Sequence, residues 1–233
     1  MFYCKEIKMY QFVTGPLAWL SFGIFLVGII VRAVLYIKGL DWKLDRVTYT
    51  VNVSYGIKGA IRSIFFWLLP FGTRGWRTNP GFTILFFVFH TCLLFTPLFL
   101  AAHNILLKER WGISLWTIPD FAADLLTIGV IVSAVIIILR RIALPEVRIL
   151  TTAYDLLVLL IATAPFITGF IAYHQAPGYQ FWLITHILCG EIMLISIPFT
   201  KLSHFILFFM SRAQIGMDFG IKRGGMKGKG FAW

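Results

Sequence analysis

The stretch "HTCLLFTPLFLAAH", residues 90–103, has a histidine at each end of an apolar run. It belongs to one of five segments that are long and apolar enough to cross a hydrocarbon core, which needs about 20 helical residues. These segments cover residues 12–37, 82–107, 121–139, 151–172 and 181–210. Only 13% of the residues are charged, about half the share found in soluble domains. The sequence therefore predicts an all-α integral membrane protein, a bundle of five transmembrane helices.

Little of the chain lies outside these segments. We predict one five-span membrane domain over residues 1–212 and a basic, glycine-rich cytoplasmic tail over residues 213–233. The first apolar run is too long for a signal peptide, and no small-residue cleavage site follows it. Arg32 and Lys38 close its far end. We therefore expect this segment to remain as a membrane span.

Basic residues collect on one side of the five spans. They fill the connection after the first span, the connection between the third and fourth spans, and the tail. By the positive-inside rule this places the N-terminus outside and the C-terminus in the cytoplasm. The formal net charge of +11 then reflects topology and attraction to anionic lipids, and no nucleic-acid partner is expected.

The long connection after the first span contains "IKGAIRSIFFWLLPFG", residues 57–72. Its large apolar residues recur at helical spacing, with basic residues on another face; they are Ile57, Ile61, Phe65 and Leu68, against Lys58 and Arg62. This pattern predicts an interfacial amphipathic helix that ends near Pro70 and Gly72. The helix either anchors the chain to lipid or offers a docking surface to a cytoplasmic partner.

Four histidines lie inside the predicted spans. The second span carries His90 and His103, and the fifth carries His186 and His204. Ionisable residues inside a bilayer are costly and normally face the bundle interior. Because the two spans run in opposite directions, the histidines form two levels, His90 with His204 and His103 with His186.

The helical geometry of these pairs can be checked. Steps of 13 and 18 residues correspond to about 20 Å and about 27 Å along a helix. Eighteen residues make five turns, which would put His186 and His204 on one face, whereas His90 and His103 would lie roughly 140° apart. Pro97, between them, can kink the helix and redirect one imidazole.

The pairing favours one class of ligand. Zinc usually takes four converging ligands, and each level offers two histidines with no cysteine or carboxylate beside them. The three cysteines, Cys4, Cys92 and Cys189, form no CxxC or CxxCH motif. Haem iron is satisfied by one histidine from each of two helices. The pattern predicts two bis-histidine haems, and it leaves open a proton relay or histidines that only pack between helices.

Further polar residues near the span ends are candidates for binding. Arg32 and Lys201 are predicted to contact the propionates of the inner haem, since buried anions need a charged partner. A quinone site at the outer level would draw on four residues, which are His174, Asp124, Asn104 and Lys108. For Lys108 the alternative is a snorkelling end residue. Glu191, near mid-depth, is either a protonated, hydrogen-bonded group or part of a proton path.

A family resemblance rests on two stretches and on the histidine pattern. "THILCGEIMLISIPFTKLSHFILFF", residues 185–209, and "RAQIGMDFGIKRGG", residues 212–225, resemble the di-haem cytochrome b membrane subunits of the nitrate reductase gamma type. The likeness extends to the membrane subunits of the Hmc, Tmc and Dsr transmembrane redox complexes of sulfate-respiring bacteria. It implies His186 and His204 as haem ligands, with His90 and His103 as their partners. The second span departs from the nitrate reductase relatives, which space their histidines more closely.

The resemblance also implies partners and a location. Such subunits lie in the bacterial inner membrane and serve anaerobic respiration. They carry electrons between a quinone pool such as menaquinone, or a periplasmic multihaem cytochrome c, and a cytoplasmic iron-sulfur subunit resembling heterodisulfide reductase. The chain has no iron-sulfur or c-haem motif, so it would act beside other membrane subunits as the electron-transfer part of an oxidoreductase complex. The alternative is a transporter or proton-relay protein, which should show internal repeats or broken helices around a midplane site.

Overall fold

The computed structural model describes residues 8–40 and 53–224, and side chains as far as residue 218. Within these ranges the chain is helical and forms no strand. Five helices are long and apolar enough to cross a membrane, which are Lys8–Lys38, Pro80–Phe99, Asp120–Ala143, Ala153–Tyr173 and Tyr179–Phe199. The prediction of a helical, multi-pass membrane protein is confirmed.

The helices of the described ranges are numbered here in chain order. They are α1 (Lys8–Lys38), α2 (Val53–Leu68), α3 (Arg74–Thr78), α4 (Pro80–Phe99), α5 (Ala101–Trp111), α6 (Asp120–Ala143), α7 (Pro145–Arg148), α8 (Ala153–Tyr173), α9 (Tyr179–Ser196) and α10 (His204–Gly224). The described residues divide into two compact units, the first made of residues 8–22 and 85–194 and the second of residues 23–40, 53–84 and 195–224.

The core of the first unit is built from α4, α6 and α8. Its buried cluster consists of Phe89, Cys92, Val130, Ala134 and Phe166. On α6, Gly129 admits the thiol, since a Cβ there would lie 2.9 Å from Cys92 Sγ. Cys92 is thus a small core residue, as its apolar surroundings predict. Cys189 is partly exposed, and Cys4 lies outside the described residues.

The helix starts in this unit follow capping rules. Thr152 and Asp155 form a capping box at the start of α8, and the Asp155 carboxylate accepts from the Thr152 backbone N–H at 2.9 Å. Helix α6 begins at Asp120, directly after Pro119. An acidic residue in the first turn complements the positive end of the helix dipole. Helix α8 thus begins at a capping box, and α6 begins with a favourable charge.

In the second unit, α2 packs closely against α10. A Cβ on Gly216 would collide with the backbone of Gly59, so this glycine allows the two helices to approach. The Arg212 guanidinium lies over the Trp67 ring, 4.8 Å from its centre. The predicted helix in residues 57–72 is confirmed, and it ends at Leu68. Its location at the membrane interface remains a prediction.

Two predicted spans are wrong as continuous helices. Residues 82–107 are interrupted at Leu100, which has φ −66° and ψ 131°. Residues 181–210 are interrupted by the short 3₁₀ turns Ile197–Phe199 and Lys201–Ser203. His186 and His204 therefore lie on different helices, and counting whole turns between them does not apply.

The boundary of the predicted tail also differs. Helix α10 continues through Gly224, so residues 213–224 of the tail predicted over 213–233 extend a helix. Residues 225–233 lie outside the described ranges. The sequence rule missed this because the glycine content of the segment predicts a helix end earlier than the structure has one.

Candidate functional site

The structure brings His103 and His186 together in the first unit. His103 lies on the first turn of α5, and His186 lies on α9. Their ring centres are 5.9 Å apart, and the ring planes differ by 8°. The two histidines predicted to pair at the outer level are therefore neighbours in the structure, with nearly parallel rings.

Each of the two rings is oriented by a backbone carbonyl. His103 Nδ1 lies 2.9 Å from the Pro97 oxygen, and His186 Nδ1 lies 2.8 Å from the Pro165 oxygen. A carbonyl can only accept a hydrogen bond, so Nδ1 carries the proton in both rings. The remaining nitrogen, Nε2, then holds the lone pair. This is the arrangement found in metal-ligating histidines, whose other N–H donates to a carbonyl or carboxylate.

The break at Leu100 creates the acceptor for His103. Extended backbone at Leu100 deprives the carbonyls ahead of it of their helical donors. Side chains and a loop replace those donors: His103 Nδ1 binds the Pro97 oxygen, and Ile118 N–H donates to the Phe99 oxygen at 3.0 Å. The helix interruption and the direction of the imidazole are thus one structural feature.

Asn104 completes the cap at Leu100, which is the set of groups that bind the carbonyls freed by the break. Its Nδ2 donates to the carbonyls of Leu98 at 2.9 Å and Leu100 at 3.2 Å, and its Oδ1 accepts from Leu115 N–H at 2.9 Å. The residue is only 3% exposed. Asn104 therefore ties α4, α5 and the following loop together next to His103, and its amide is occupied by the backbone.

On the other side, Gly169 makes room for His186. A Cβ at Gly169 would lie 2.8 Å from the His186 ring, closer than real contacts allow. One turn earlier on α8, Pro165 supplies the carbonyl that binds the ring. Neither residue was predicted from the sequence. The signal was the segment "PFITG", residues 165–169, with a proline and a glycine one turn apart in a transmembrane helix.

The donor set of this site fits a haem. Two imidazoles that bind one iron from opposite sides through Nε2 have ring centres about 6 Å apart, close to the separation observed here. No group of three or more histidine, cysteine or acidic residues converges as a metal site among the described residues. Two ligands suffice for haem iron, because the porphyrin supplies the other four.

The other two histidines share the same local feature. His90 Nδ1 lies 2.9 Å from the Phe86 oxygen, and His204 Nδ1 lies 2.8 Å from the Lys201 oxygen. His90 belongs to the first unit and His204 to the second. In each ring Nδ1 contacts a backbone carbonyl, and the pairing of the two histidines remains a prediction.

Both predicted propionate contacts lie near His204 in the second unit. Arg32 Nη2 donates to Ser203 Oγ at 3.4 Å, next to His204 in the chain. Arg32 Nε is buried without an acceptor among the described residues. Lys201 is exposed and offers its carbonyl to His204. A cation with an unused buried donor fits an anionic group beside His204.

Two of the four candidates for a quinone site contact each other. His174 Nε2 lies 3.2 Å from Asp124 Oδ1, and both side chains are partly exposed at the ends of α8 and α6. Asn104 is buried in the cap described above. Lys108 is exposed in the last turn of α5. The structure thus assembles only His174 and Asp124 as an acid–base pair.

The fold and the paired imidazoles define a multi-pass helical membrane protein with a two-histidine site. A curated protein of Nitratidesulfovibrio vulgaris (strain Hildenborough) is 53% identical over 226 residues, which are 97% of this chain and all of that relative. The chain belongs to the family of that relative, whose printed name is "Protein". Neither a family model nor a solved structure matches the chain.

Proposed function

We propose that the chain is a di-haem cytochrome b subunit that carries electrons across a membrane. The observation that carries the proposal is the His103–His186 pair, with ring centres 5.9 Å apart and planes 8° from parallel. Both Nδ1 atoms are held by carbonyls, so the lone pair of each of these neighbouring rings is on Nε2. Packing alone does not require this shared orientation.

In this proposal His103 and His186 hold one haem b, and His90 and His204 hold the second. A bound haem supplies reversible one-electron chemistry at its iron. The chain's residues bind and orient it: Pro97 and Pro165 fix the two imidazoles, and Gly169 leaves space for one of them. Arg32 supplies positive charge for an anionic propionate in the second unit.

The orientation and the partners are part of the same proposal. Positive-inside counting places the N-terminus outside and the C-terminus in the cytoplasm of the bacterial inner membrane. The subunit would exchange electrons with a quinone pool or a periplasmic multihaem cytochrome c on one side, and with a cytoplasmic iron-sulfur subunit on the other. It would do so beside other membrane subunits, because the sequence holds no motif for the terminal centres.

The His174–Asp124 pair suits proton exchange with a quinol. Oxidation of a quinol releases two protons with two electrons, and a proton acceptor must lie within hydrogen-bond reach. Histidine is the side chain that most often accepts a proton in such a role. We assign this role to His174 with Asp124 positioning it, and assign none to the backbone-bound amide of Asn104.

One observation favours a second candidate, a proton-relay transporter. Such proteins have broken helices around a midplane site, and two helices here are interrupted, at Leu100 and between Ile197 and Ser203.

A visible spectrum separates the two candidates. The purified full-length protein, oxidised and then reduced with dithionite, should give the bands of low-spin b-type haem. Haem extracted as its pyridine complex should amount to two per chain. A protein that is folded, as judged by its circular dichroism, but has no visible absorption would contradict the proposal and support the relay.

A further inference from the structure

Glu191 is an acidic side chain buried within a transmembrane helix. It is 6% exposed and lies in the span Tyr179–Phe199, two residues past its middle. Neither Oε1 nor Oε2 has a hydrogen-bond partner among the residues that the structure describes. The sequence left its role undecided between a hydrogen-bonded acid and a proton path.

The other acidic residues of the first unit have ordinary explanations. Asp155 closes the capping box of α8, Asp124 faces His174, and Glu109, Asp120 and Glu146 are exposed. Glu191 alone, in the described part of this unit, combines deep burial with two unpartnered oxygens.

The charge state follows from the surroundings. An ionised carboxylate in an apolar interior is stable only when it is paired or hydrogen-bonded, and otherwise the group takes up a proton. Glu191 has neither a cation nor a donor beside it within the described ranges. The group is therefore uncharged, with an O–H that still requires an acceptor.

We propose that Glu191 is a proton-binding site, held as a neutral carboxylic acid whose O–H donates to an uncharged oxygen outside the protein. That oxygen belongs to a water molecule or to a quinone carbonyl. The quinone alternative rests on the proposed function, whereas the assignment of a neutral acid does not. Glu191 follows His186 by five residues on α9, about 7.5 Å along the helix axis. The site thus holds a proton on the same helix as His186, more than one helical turn further along the chain.

Infrared difference spectroscopy on the full-length protein tests the site. We expect wild type to show, at neutral pH, the carbonyl stretch of a protonated carboxylic acid, shifted in D₂O and lost in Glu191→Gln. The exposed residue Glu146 gives the matched control, and Glu146→Gln should keep the band. A wild-type spectrum without the band, or a band unaffected by Glu191→Gln, overturns the proposal.

The frequency of the band tests the acceptor. A hydrogen-bonded acid absorbs at lower frequency than a free one, so a band at the free position would overturn the assignment of an acceptor. Addition of a menaquinone analogue should shift a lowered band if the acceptor is a quinone carbonyl. A lowered band that the analogue leaves in place identifies water, and supports the site equally.

A second measurement covers the case in which the band is obscured. Glutamine matches a neutral acid in shape and polarity, so Glu191→Gln should unfold at the wild-type temperature. If Glu191 were instead ionised and paired, Glu191→Gln would leave the charge of its partner buried without a counter-ion. The midpoint of unfolding would then fall, which contradicts the proposal. Both readouts are independent of haem, so their failure is distinct from failure of the proposed function.

Discussion

The two interrupted helices resemble each other in sequence and differ in how they are held. The breaks fall at Leu100 and Thr200, which both have extended backbone. Pro97 precedes the first break, and Pro198 precedes the second. In each case a histidine within the next four residues directs Nδ1 to a backbone carbonyl. The same sequence of a proline, an extended residue and a carbonyl-bound histidine thus occurs twice in the chain.

The difference lies in what secures each break. At Leu100, a buried asparagine and the N–H of Ile118, from beyond α5, bind the freed carbonyls. At Thr200, the hydrogen bonds of the extended residue's own side chain are local: its Oγ1 donates to the Ser196 oxygen at 2.8 Å and accepts from Leu202 N–H at 3.2 Å. The carbonyls freed at Leu100 are therefore held in part from beyond α5, whereas the side chain of Thr200 bonds only to neighbouring residues of the chain.

The largest expected effect comes from the imidazoles of the first break. His103→Ala and His186→Ala should each lower the haem content from two per chain to one, because each removes an axial ligand of the same site. His174→Ala is the matched control and should keep both haems, since that ring contacts Asp124. Extracted haem per chain measures the outcome, and full haem content in His103→Ala would contradict the assignment.

Gly169 should give the next largest effect. Gly169→Ala places a methyl group 2.8 Å from the His186 ring, which must turn away from the position set by Pro165. We expect a shifted midpoint potential, or loss, of one haem in a spectroelectrochemical titration. On α9, Gly190 has open space around it, so Gly190→Ala is the control and should leave both potentials unchanged. Equal effects of the two variants would argue against a specific fit.

Asn104 tests the cap directly. Asn104→Ala removes three hydrogen bonds and leaves buried backbone groups without partners, which should cost about 1–3 kcal/mol per unsatisfied group. The unfolding midpoint should fall, and the haem bound by His103 should be lost first on heating. The exposed Asn79 provides the control, and Asn79→Ala should change neither quantity. A variant that unfolds like wild type would show that the cap is dispensable.

The smallest effect is expected at the second break. Thr200→Ala removes a single local cap, which typically costs about 1 kcal/mol. The midpoint of unfolding should fall less than in Asn104→Ala. If Thr200→Ala is the more damaging of the two, the contrast drawn between the breaks is wrong.

The sequence predicts five membrane-crossing helices, because long apolar runs are a local signal, and it predicts that His103 lies near His186. It predicts the helix over residues 57–72 for the same reason. The break at Leu100 depends on Leu115 and Ile118, so no local pattern around Pro97 could locate it. Asn104 was assigned to a quinone site because a polar residue near a span end looks the same in sequence whether it caps a helix or binds a ligand. Gly169 was overlooked since its role exists only once His186 packs against it.

Electron paramagnetic resonance of the oxidised His204→Ala variant tests the central claim most directly. This variant keeps the His103–His186 pair, whose ring planes differ by 8°. We predict a low-spin ferric signal of the rhombic type that nearly parallel axial imidazoles produce. The absence of any low-spin ferric signal from the folded variant would contradict the account.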